Sequence, residues 1–107
     1  MNFQVILGEG ASQETRIVNA SSWSTCLAYS EGTGLQINGI QYLPTVNIVI
    51  IDSGTTNCYQ LNLKIDGVLS NYMVWALDYA TFNTWLDSQT NADLTNLQLL
   101  NKLYVTL

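Results

Sequence analysis

Phe3-Gln4-Val5-Ile6-Leu7 and Tyr59-Gln60-Leu61-Asn62-Leu63 lie 56 positions apart and alternate in the same phase. Alternation of large apolar residues with period two marks a half-buried strand, and its recurrence raises the question of a wider repeat. At the same offset Ile17-Val18-Asn19-Ala20 falls on Met73-Val74-Trp75-Ala76, and Ser22-Trp23-Ser24-Thr25 on Asp78-Tyr79-Ala80-Thr81. Tyr29 and Glu31 meet Trp85 and Asp87. A one-residue slip to 57 then brings Ile40-Gln41-Tyr42-Leu43 onto Leu97-Gln98-Leu99-Leu100. Val46, Ile48 and Ile50 continue onto Leu103, Val105 and Leu107.

Each half reads as hairpin, helix, strand. In the first, Gly8-Glu9-Gly10 supplies residues that tolerate positive φ, and residues 14–20 return as the second strand. In the second, Asp66-Gly67 is a hairpin signal, because a type I′ turn needs φ > 0 at both central residues, and residues 69–76 return. Ser21 or Ser22 and Asp78 are suited to cap the helices that follow, accepting otherwise unpaired backbone N–H groups. Trp23, Cys26 and Leu27 share one helical face by their spacing, as do Phe82, Trp85 and Leu86. Gly32-Thr33-Gly34 and Gln89-Thr90-Asn91 end the two helices. Residues 36–52 and 94–107 each hold two apolar stretches split by a polar break, Pro44-Thr45 in one and Asn101-Lys102 in the other. They fit either long bulged strands or tight hairpins. Residues 46–51 form the most continuous β-branched run and are expected to be the most buried strand.

The fold class that follows is α+β. Two tandem ββαβ(β) half-repeats of about 50 residues form one pseudo-twofold domain with mainly antiparallel sheet and two helices. The half-repeats are 1–52 and 58–107, joined by the connector 53–57, within a single domain of 107 residues. A half of that size buries too little surface to stand alone.

Eight acids against three bases give a net charge of −5. Lys64, Lys102 and Arg16 alone cannot supply the counterion release that binding nucleic acid requires, so neither nucleic acid nor a membrane is an expected partner. There is no histidine, which removes the commonest general base and metal ligand and every Ser/His or Cys/His nucleophilic pair. Charged residues make up 10% of the chain, while Asn, Thr, Ser and Gln supply 37 of its 107 residues. Such a surface repels its neighbours weakly and favours close association. Cys26 and Cys58 have no metal-binding spacing and read as two buried thiols. The N-terminal stretch lacks the basic region of a signal peptide, so the expected location is the cytoplasm of a host cell or a virion.

One stretch carries a motif. Ile50-Ile51-Asp52-Ser53-Gly54-Thr55-Thr56 resembles the active-site sequence of aspartic proteases, and the chain length is similar to that of the retroviral-type, homodimeric branch. The resemblance implies that Asp52 would activate water together with its symmetry mate, one carboxylate charged and one protonated. Ser53, Gly54 and Thr55 would form the supporting turn. The match covers seven residues, lies mid-chain rather than in the first third, and is followed by no Gly-rich flap. A connector turn is the alternative reading, and Asp-Ser-Gly is a common turn sequence. Asp52, Asp66 and Asp93 lack the spacing of a Ca²⁺ loop, and Gly8-Glu9-Gly10-Ala11-Ser12 lacks the lysine and helix of a phosphate loop. No metal or cofactor is expected.

Tyrosine and tryptophan exceed what one small core can bury. Trp23, Tyr42, Tyr72, Trp75 and Tyr104 are the candidates for a contact surface. The expected function is a non-enzymatic assembly or binding module, a phage or viral particle component or a small phage-encoded inhibitor of a host protein. Its expected partner is protein, above all a second copy of itself, met through strand edges and exposed aromatics. Two alternatives stand beside it: a small-molecule binding module with a pocket between the half-repeats, and a protease built on Asp52.

Overall fold

The computed structural model describes residues 1–107. The chain is α+β, with two helices and a mostly antiparallel sheet of seven strands, numbered β1 to β7 along the chain from Asn2–Leu7, Glu14–Asn19, Ile37–Leu43, Val46–Ile50, Asn57–Ile65, Val68–Trp75 and Ala92–Thr106. Their order in the sheet is β3-β1-β2-β7-β5-β6-β4. Its residues group into two compact units, Met1–Pro44 with Lys102–Leu107, and Thr45–Asn101.

In the first unit, β1 (Asn2–Leu7) and β2 (Glu14–Asn19) form an antiparallel hairpin. β1 buries Phe3, Val5 and Leu7 on one face, as its alternation dictates. The turn passes through Gly8 at φ +91°, where a Cβ would sit 2.8 Å from the Ser12 carbonyl oxygen, so glycine is needed twice over. Helix α1 (Trp23–Gly32) starts at Ser22, whose Oγ accepts the Thr25 N–H at 3.1 Å. Its buried face is small, only Cys26 and Ser30. The Ser30 hydroxyl donates to the Cys26 carbonyl at 2.8 Å, which satisfies that buried polar group. β3 (Ile37–Leu43) lies antiparallel on the outer side of β1. The last residues of β7 (Ala92–Thr106) run parallel to β2, from Thr15 opposite Lys102 to Asn19 opposite Thr106. Phe3, Val5, Leu7, Val18, Ala20 and Cys26 make the core.

In the second unit, β5 (Asn57–Ile65) and β6 (Val68–Trp75) form the hairpin through Asp66 and Gly67, both at positive φ as a type I′ turn demands. Helix α2 (Tyr79–Asp87) is capped by Asp78, whose carboxylate accepts the Thr81 N–H at 2.8 Å. The first part of β7 lies antiparallel on β5, and β4 (Val46–Ile50) lies parallel on β6. Tyr59, Leu61, Leu63, Val74, Ala76 and Phe82 make the core, with the Tyr59 and Phe82 rings stacked at 4.4 Å.

Two expectations are corrected here. β4 is a terminal strand with Asn47 and Ile50 exposed, not the most buried strand of the chain. β-branched residues favour extended backbone whether or not both faces are covered; the buried strands are β1 and β5. The first closing segment is neither a hairpin nor one long strand, since β3 and β4 pair with different neighbours, whereas the second is the long bulged strand that one of its two readings gave, 15 residues. Asn96, at φ 55°, absorbs a bulge in it opposite the step from Gln60 to Asn62. Cys26 and Cys58 are both buried thiols.

Candidate functional site

The first unit presents an aromatic cluster at the edge of its sheet. Phe3 is buried, and two half-exposed rings flank it: Trp23, 49% exposed, at 5.8 Å and 70°, and Tyr42, 45% exposed, at 5.5 Å. Local structure sets each position. The Ser22 cap makes Trp23 the first residue of α1, and cross-strand pairing puts Tyr42 of β3 directly opposite Phe3 of β1. β3 ends the strand order, so only one of its edges is paired. Edge-to-face and tilted ring contacts fix the side chains while leaving a face of each open to a partner.

The second unit has a similar cluster that the composition did not single out. Tyr79, 56% exposed, begins α2 with its ring 6.4 Å from that of Tyr59, and Leu99, 57% exposed, sits opposite Tyr59 in the β5–β7 ladder. The signal was in the sequence, since the offset of 56 lays Trp23 on Tyr79 and that of 57 lays Tyr42 on Leu99. Burial, together with the Asp78 carboxylate and Tyr79 nearby, holds the Tyr59 hydroxyl above the usual phenol range.

The remaining candidates fall elsewhere. Trp75 is 1% exposed, paired with Cys58 on one side and Ile50 on the other, so it is core and presents nothing to a partner. Tyr72 is half-buried with its ring 5.7 Å from that of Trp85. Tyr104 is half-buried opposite Ile17. Of the five, Trp75 is removed by burial, and Trp23 and Tyr42 share one cluster within the first unit. Asp52 lies in the turn after β4, where its Oδ2 accepts the Leu77 N–H at 2.8 Å and its own N–H donates to the Trp75 carbonyl. Gly54, at φ +79°, completes that turn.

Charge is sparse throughout. Arg16 donates from Nη1 to the Tyr29 hydroxyl at 2.6 Å and from Nη2 to Glu14 at 2.5 Å, while its Nε is buried without a partner. Burial opposes its charge, but the bonds to Tyr29 and Glu14 outweigh burial and hold its pKa above the ordinary value. No three His, Cys, Asp or Glu side chains come together as metal ligands, and no helix is long and apolar enough to cross a membrane. A shallow groove of about 440 Å³ lies along α2, lined by Ile51, Thr81, Thr84, Trp85 and Ser88. Thr84 and Ser88 spend their hydroxyl protons on the Ala80 and Trp85 carbonyls. No protein family, curated protein or solved structure matches the chain.

Proposed function

We propose that this chain is a non-enzymatic assembly module that acts through its surface and joins copies of itself, as a component of a phage or viral particle does. The observation that carries the reading is the pair Trp23 and Tyr42, each half-exposed on buried Phe3 beside a strand with one free edge. Rigid aromatics at a desolvated centre dominate interface energetics, and a free edge adds backbone hydrogen bonds. The amide- and hydroxyl-rich composition supports it, because such a surface lacks the like charges that hold copies apart. A small inhibitor of a host protein would use the same surface. Light scattering across a concentration series tests the reading. The mass should rise with concentration for the unmodified chain and stay at that of one chain when Trp23→Ala and Tyr42→Ala are combined. A single-chain mass for the unmodified protein at every concentration would overturn it.

We infer also that the two units descend from one duplicated ββαβ(β) segment. Adding 56 to the β1–β2 ladder, Asn2 opposite Asn19 through Leu7 opposite Glu14, gives the β5–β6 ladder, Cys58 opposite Trp75 through Leu63 opposite Ser70. Adding 56 to the six core residues of the first unit gives the six of the second. The caps Ser22 and Asp78 and the bonds Ala20 N–H to Met1 and Ala76 N–H to Asn57 follow the same offset. The last strand corresponds at 56 rather than 57, since Val46 faces Asn71 where Lys102 faces Thr15. In this reading the fourth strand of each unit comes from the other half of the sequence. Equivalence predicts that the paired core substitutions Val18→Ala and Val74→Ala each lower amide-exchange protection in their own unit by a similar factor, and a large loss from one with none from the other would break it.

A second reading, a small-molecule binding module, is favoured by the groove beside Trp85, where an indole and an aliphatic side chain line one open slot. Thermal-shift screening against sugars and nucleotides tests it, and no shift with any of them would remove its support.

A further inference from the structure

Residues 32–51 contain no charged side chain; Glu31 and Asp52 are the first charges on either side. This run supplies both β3 and β4, the two strands that end the sheet order. The sequence that corresponds to it is different in kind: β7 carries Asp93, Lys102 and the Asn96 bulge, features that blunt an edge against pairing. β3 is the longer of the two uncharged strands, seven residues without proline before Pro44, and the exposed Tyr42 and Trp23 stand at its end.

We infer that β3 pairs antiparallel with β3 of a second copy, a contact that rests on the self-assembly reading above and names its site. A second copy is the occupant because the edge is complementary to itself. Antiparallel pairing brings Ile37 toward Leu43 and sets the amides Asn38 and Gln41 among neutral neighbours, with no like charges opposed. An acidic or basic partner would find no counter-charge on it. The symmetry is isologous, each copy offering the same strand, so the contact closes as a dimer. Tyr42 and Trp23 then lie at both ends of the shared strand pair and shield its hydrogen bonds from water.

Nitroxide labels at Gln41→Cys, and separately at Asn47→Cys, test this, since Cys26 and Cys58 are buried and do not label. Adjacent strands lie about 5 Å apart, so paired β3 strands hold the two Gln41 labels within roughly 20 Å once the tethers are included. That distance at Gln41, lost when both labelled chains also carry Gly39→Lys, is the expected result; a Cβ at Gly39 meets nothing within 4 Å, and circular dichroism of the lysine variant establishes that it folds. A short distance at Asn47 and none at Gln41 overturns β3 pairing in favour of β4 while leaving self-assembly intact. A mass of one chain at all concentrations overturns both.

Discussion

Ser22 and Asp78 do the same work 56 positions apart: each has extended backbone, and each accepts, through its side chain, the N–H of the residue three further on. The two caps differ in one respect, that only the aspartate titrates. The Thr81 N–H, aided by the Thr81 hydroxyl, holds the Asp78 carboxyl below its usual range, with slight burial opposing.

That difference predicts an acid response confined to one helix. A carboxyl whose folded pKa is lowered adds stability above its unfolded value of about 3.9, and this is lost as pH falls through the folded value. The Thr81 amide shift should therefore titrate below the usual aspartate range in an NMR pH series, while the Thr25 amide stays still. Titration of Thr81 at or above the ordinary value would contradict the cap.

Phe82 sits at the centre of the second core, fully buried and stacked on Tyr59. Phe82→Ala should cost about 3–5 kcal/mol by denaturant unfolding, since it removes both the transfer term and the packing of a ring. A loss below about 1 kcal/mol would mean the ring is not packed as described.

Both thiols should be silent in the folded protein. Burial raises the Cys26 pKa, against a smaller opposing effect of Ser30, and Cys58 is equally enclosed. Ellman's reagent should react with neither until denaturant is added, and should then count two. Reaction of a full equivalent in native buffer would place one of them at the surface.

Salt separates the proposed contact from an ionic one. The edge residues 37–43 are neutral while each chain carries −5 overall, so added salt screens the repulsion between copies and does nothing to the contact. Self-association measured by sedimentation should hold or tighten from low to high salt. Weakening by tenfold would point to charge pairs instead.

Much of the fold was legible because local chemistry and burial agree. Alternation in residues 3–7 and 59–63, the Asp66-Gly67 turn and the caps at Ser22 and Asp78 all lie where the elements form. What misled was β4. Val46 to Ile50 has the composition of a central strand, and nothing within the run records that only one of its edges is paired. Trp75 misled for a related reason: tryptophan serves cores and contact surfaces alike, and only its place between Cys58 and Ile50 decides which. Tyr79 and Leu99 were readable through the offset but not through their own residue types, leucine least of all.

The most direct test is hydrogen exchange of the β3 amides, residues 37–43, at two protein concentrations. Pairing with a second copy predicts that the outward-facing amides of β3 exchange at least tenfold more slowly at the higher concentration, with those of β1 unchanged. Equal exchange across β3 at both concentrations, under conditions where the scattering mass has risen toward twice the 11.9 kDa of one chain, would contradict it.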